Sequence, residues 1–74
     1  MSYVDDTALE LADLALAEHA AGNEKLVEQI GEMIGASSQS LQEAYLTAIR
    51  VRRAEARARE LIEKSRAARG ATGS

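Results

Sequence analysis

The chain has 74 residues, no Cys, no Pro, a single His and a net charge of −3. That composition excludes a disulfide framework and makes a structural zinc site implausible. No apolar run approaches the ~18 residues of a membrane span. A chain this short buries only about 60% of its unfolded surface, so a solitary core is marginal and oligomerisation is the remaining common route to stability.

Ala, Leu, Glu and Arg dominate, and Tyr3 and Tyr45 are the only aromatic residues. The expected fold is all-α, with two short helices and one long C-terminal helix in an oligomeric helical bundle. No basic-then-apolar leader opens the chain and no Cys calls for an oxidising compartment, so the expected location is cytoplasmic.

The first helix is expected over residues 6–21. Asp5, Asp6 and Thr7 offer capping oxygens, and Gly22 offers a left-handed stop. At roughly 100° per residue, Leu9 and Leu16 share one face, while Leu11 and Leu14 lie nearly opposite. Two leucine stripes point to contacts on both sides, and Leu11 and Leu14 are expected at a subunit interface. Asn23 is placed to cap a second helix over 24–34, whose stripe is Leu26, Val27, Ile30, Met33 and Ile34. Gly35 is expected to take a positive φ and turn the chain.

The third helix is expected over 38–68, starting at Ser37, Ser38 or the capping-box-like Ser40-Leu41-Gln42-Glu43, with 70–74 as a flexible tail. Its first stripe is Leu41, Ala44, Tyr45, Ala48 and Ile49. The same face then turns into Arg52, Glu55, Arg59, Glu63 and Arg66. A second stripe begins there, rotated by about a third of a turn: Val51, Ala54, Ala58, Leu61, Ile62 and Ser65. Its alanines permit close approach by another helix, most simply from a second copy. Glu55–Arg59 and Glu60–Lys64 stand four apart in the order that supports a helix.

Charge divides the chain. Residues 1–49 hold Lys25 against nine acids, a net of −8, and residues 50–74 hold eight bases against three acids, a net of +5. Such a molecule can dock head to tail between copies, or its basic half can seek an acidic protein partner. Arg50, Arg53, Arg57 and Lys64 fall on one face.

The segment Ile30-Gly31-Glu32-Met33-Ile34-Gly35-Ala36-Ser37-Ser38-Gln39-Ser40-Leu41 resembles the generic helix-turn-helix signature of DNA-binding regulators. A small residue stands at Gly31, a turn glycine at Gly35, and apolar residues at Ile34 and Leu41. The resemblance implies that the third helix reads DNA, with Gln39 and Gln42 toward base edges and the arginines on phosphates. Against it, Glu24, Glu28 and Glu32 line the outer face of the second helix, where phosphates would lie.

Nothing points to catalysis. His19 and Glu18 project about 100° apart, no nucleophile stands beside a base, and no Gly-rich phosphate loop precedes a helix. No metal or cofactor site is expected. The reading is a small protein–protein interaction and oligomerisation module, a dimer or larger. The alternative is a helix-turn-helix regulator that dimerises through its third helix.

Overall fold

The computed structural model describes residues 2–73, with side chains described as far as Gly70. Three α-helices follow one another, α1 (Tyr3–Ala20), α2 (Leu26–Ser37) and α3 (Gln39–Gly73). The all-α class and the long C-terminal helix agree with the sequence. The helix ends do not all agree.

α1 starts earlier than expected because Ser2 caps it. Its hydroxyl oxygen accepts the Asp5 N–H at 3.1 Å. Asp5 and Asp6 therefore sit inside the first turn, beside unpaired N–H groups that favour their charge. At the other end Gly22 takes φ = 113°, the only positive φ among the described residues. The Gly22 N–H donates back to the His19 carbonyl and the Asn23 N–H to the Glu18 carbonyl, both at 3.0 Å. These reversed bonds satisfy the last carbonyls, as a left-handed glycine permits. Asn23 does not cap α2 with its side chain; its backbone carbonyl accepts the Leu26 N–H at 3.4 Å, and α2 begins two residues later than expected.

The expected turn at Gly35 is corrected. α2 runs through Gly35 to Ser37, and the chain reverses at Ser38, which alone separates α2 from α3 in an extended conformation (φ −151°, ψ 106°). Ser38 ends one helix and begins the next. Its N–H donates to the Ile34 carbonyl at 2.7 Å, and its hydroxyl accepts the Leu41 N–H at 3.2 Å. The serine start that sequence left open thus falls at Ser38.

Gly35 leaves room for a side chain and is not used for its φ. A Cβ built there would stand 2.6 Å from the Gln42 side-chain carbonyl carbon. That amide lies across the helix and donates to the Gly31 carbonyl at 2.9 Å. A Cβ at Gly31 would meet the Tyr45 ring at 3.5 Å, an ordinary contact.

The core is built from small residues on α1 and one large residue on α3. Ala8, Ala12 and Ala15 are buried together with Val27, Tyr45 and Ile49. The alanine stripe lies between the two leucine stripes, so Leu11 and Leu16 flank the core from either side and pack against it. One three-helix body therefore accounts for most of the double-sided character of α1, and Leu11 belongs to this body. On α2, Val27 and Gly31 face inward, while Met33 is 75% exposed and leaves the expected stripe. Tyr45 is the largest fully buried side chain, and its hydroxyl donates to the Val27 carbonyl at 2.7 Å.

α3 runs on to Gly73, past the expected end at Ala68 and through residues read as a tail; Ser74 lies outside the described residues. Thirty-five residues at ~1.5 Å each give roughly 52 Å, so this helix sets the long axis of a molecule measuring 56 × 30 × 13 Å.

Two predictions test this packing. Gly35→Ala should be close to neutral, because a helix-propensity gain of roughly 0.8–1 kcal/mol offsets a displaced Gln42 hydrogen bond worth about 0.5–1.5 kcal/mol. In a Gln42→Ala background nothing is displaced, and the same change should stabilise. Denaturant unfolding of the four proteins measures the coupling, and equal effects in both backgrounds would separate the two side chains.

Burial pushes the Tyr45 phenol above its ordinary value, with the Arg53 charge acting in the opposite sense. A raised phenol means that the unfolded chain ionises first. Tyr45 should therefore support the fold fully up to about pH 10 and progressively less as pH climbs through the folded value. Tyr45→Phe should cost about 1 kcal/mol at neutral pH for the lost hydrogen bond and should lack this alkaline loss. Thermal melts from neutral to strongly alkaline pH check both; identical alkaline losses would assign the effect to another group.

Candidate interaction surface on the projecting half of α3

Tertiary packing of α3 stops at Glu55. That residue is half-buried, and every residue from Ala56 to Gly70 is exposed. The cause lies in the face that packs the core. Leu41, Tyr45, Ala48 and Ile49 give way on the same side to Arg52 and Glu55, which cannot enter an apolar interior unpaired.

Those charges close the end of the core. Arg52 grips Asp13 of α1 with two parallel bonds, Nε to Oδ1 at 2.8 Å and Nη2 to Oδ2 at 3.2 Å. Its third donor, Nη1, meets Glu55 Oε1 at 2.9 Å. Arg59 reaches back to Glu55 Oε2 at 2.8 and 3.1 Å. The row Asp13–Arg52–Glu55–Arg59 fastens α3 to α1 where the core runs out. The expected helical pairs Glu55–Arg59 and Glu60–Lys64 both form, at 2.8 and 3.7 Å, and Arg66 pairs with Glu63 at 3.1 Å.

Hydrogen bonds from Arg59, and then from Arg52, hold the Glu55 carboxyl below the usual carboxylate range. Bonding to Asp13, and then to Glu55, raises Arg52 further above its already high value. A depressed carboxylate supports the fold above its ordinary titration range and loses that support as pH falls through the folded value. Glu55→Gln should therefore flatten part of the acid decline in melting temperature below about pH 4. An acid decline unchanged by the substitution would place it on other carboxylates.

The expected second stripe starts at Val51, beside the last packed turn of α3, runs out along the projection, and is wet throughout. Val51 is 56% exposed, Leu61 70% and Ile62 50%, and Ala54 and Ala58 are exposed between them. Of the two α1 residues expected with them, Leu14 is 59% exposed and Leu11 is packed inward.

Arg50, Arg53, Arg57 and Lys64 are all exposed. Arg50 and Arg53 form one wall of a groove of about 370 Å³ between α2 and α3. Glu28 and Glu32 form the opposite wall, with Val27, Gly31, Leu46 and Ile49 between them. The groove was not legible in the sequence; Leu46, outside both expected stripes of α3, packs against the core. Gln39 is exposed, and Gln42, half-buried on the floor of this groove, spends its amide N–H on the Gly31 carbonyl.

Among the described residues no group of three or more His, Cys, Asp or Glu could hold a metal ion, and no helix is long and apolar enough to cross a membrane. Compared with known proteins, the chain matches no family model, no curated protein and no solved structure.

Proposed function

We propose that the protein is a small helical interaction module that associates with itself through the projecting half of α3. One observation carries the reading: an aliphatic stripe that starts at Val51, where the molecule's own core ends, continues along the exposed helix to Leu61 and Ile62. From Ala56 to Gly70 every residue is exposed, although Leu61 and Ile62 are of the type that proteins bury. Most helical stability comes from packing, and a long bare helix has none.

Magnitudes support an interface of moderate strength. Burying a Val, Leu or Ile contributes roughly 1.5–3 kcal/mol, so Val51, Leu61 and Ile62 from two copies offer on the order of 10 kcal/mol. Association itself costs roughly 4–15 kcal/mol, so one lost side chain should matter. The reading includes no catalytic step and no cofactor. The competing reading, nucleic-acid binding, rests on the exposed arginines 50, 53 and 57. It is weakened by the engagement of Gln42, the continuous helix at Gly35 and the acidic wall of Glu28 and Glu32 beside those arginines.

Light scattering across protein concentration tests the proposal. Wild type should associate, and Leu61→Asp should weaken association by about tenfold or more, the equivalent of ~1.4 kcal/mol. Because Leu61 is exposed in the single chain, the same change should leave helix content nearly intact. A wild-type protein that stays monomeric at high micromolar concentration refutes the proposal. A gel shift that falls steeply with salt would favour the nucleic-acid reading instead.

A further inference from the structure

The ion pairs inside the chain leave a lopsided remainder. All three acids of the basic half are taken: Glu55 by Arg52 and Arg59, Glu60 by Lys64, and Glu63 by Arg66. Arg50, Arg53 and Arg57 are left without an ion pair. In the acidic half the reverse holds, for only Asp13 of nine acids is paired, to Arg52. An occupant of the α3 stripe that brings unpaired acids therefore matches it better than a second projecting helix, whose three acids are each paired within their own helix. The acidic half of another copy has them.

The match can be placed on named residues. On α1, Leu14 is exposed, with Glu10 one turn before it and Glu18 one turn after, all open to solvent. On α3, Leu61 is exposed, with Arg57 one turn before it and Lys64 one turn after, likewise open. Residues three and four apart on a helix are neighbours about 5–6 Å apart, so the two triplets have nearly the same spacing and opposite charge. Lys64 already touches Glu60, but at 3.7 Å and with both side chains largely exposed, a contact that is easily exchanged.

We infer that the projecting half of α3 docks on the exposed face of α1 in a second copy of this chain, Leu61 against Leu14 and Arg57 and Lys64 against Glu10 and Glu18. This rests on the self-association proposed above and names its occupant. The leucines supply apolar contact, and the flanking charges choose the partner surface and suppress arm-to-arm pairing.

A charge exchange tests it. One variant carries Arg57→Glu and Lys64→Glu; the other carries Glu10→Lys and Glu18→Lys. All four positions are exposed, and circular dichroism verifies that both variants keep the helical fold. Each variant alone should self-associate at least about tenfold more weakly than wild type. An equimolar mixture should recover association, because the reversed arm of one then meets the reversed head of the other. Recovery supports the docking.

Other outcomes overturn the docking in distinguishable ways. If both single variants associate as wild type does, the docking is wrong and self-association stands. If both weaken but the mixture does not recover, α1 of a second copy is not the occupant. If wild type itself is monomeric, the docking and the self-association reading fall together.

Discussion

The hydrogen bond from the buried Tyr45 hydroxyl to the Val27 carbonyl, 2.7 Å long, is the constraint on which the body of this protein depends. A buried phenol needs a partner, and a helix interior offers few carbonyls that can take a second bond. Meeting that need fixes how α3 lies against α2. The ring then fills a core with no other large, fully buried side chain. Alanines at 8, 12 and 15 follow from this, because bulkier residues on α1 would hold it away from the ring. Gln42 adds a second polar tie along the same seam, and Gly35 is the space that lets it lie flat.

The same economy sets where the body stops. A core this small has one layer of buried residues per helix, and α3 outruns it by about four turns. The transition is made by Arg52, whose guanidinium holds Asp13 and Glu55 together and seals the edge of the core with charge. Exposed pairs of this kind contribute little energy, so their role here is one of position. They align the base of the projecting helix on the body that presents it.

The molecule therefore has two parts with different physical characters. The body buries a small apolar core, leaves Leu14 and Met33 exposed, and displays unpaired acids. The projection satisfies its acids internally and displays arginines beside a wet aliphatic stripe. Both parts carry surfaces that the single chain leaves uncovered, and the surfaces are opposite in charge. Association between copies is the simplest arrangement that uses both, which is why the proposed function follows from the remainder of the packing and not from any motif.

Much of this was legible in the sequence. Helix-forming composition and the absence of Pro gave three helices, and Gly22 marked the first stop at its actual φ. The two stripes of α3 and the change of face near Val51 follow from a 3.6-residue period and needed no structure. What failed was local punctuation with more than one physical cause. Gly35 looked like a turn, but a glycine serves close approach as well as positive φ, and only the position of Gln42 reveals which.

Leucine stripes on α1 pointed to contacts on both sides because periodicity weighs bulky residues. The contact within the chain runs along the alanines between them, which share one buried core with Tyr45. The groove walled by Glu28, Glu32, Arg50 and Arg53, and the bond from Arg52 to Asp13 across 39 residues, were beyond the sequence for the same reason. Periodicity assigns a residue to a face of its own helix. Which faces meet, and at what depth, depends on how three helices share one buried ring, and that is settled only when the chain is packed.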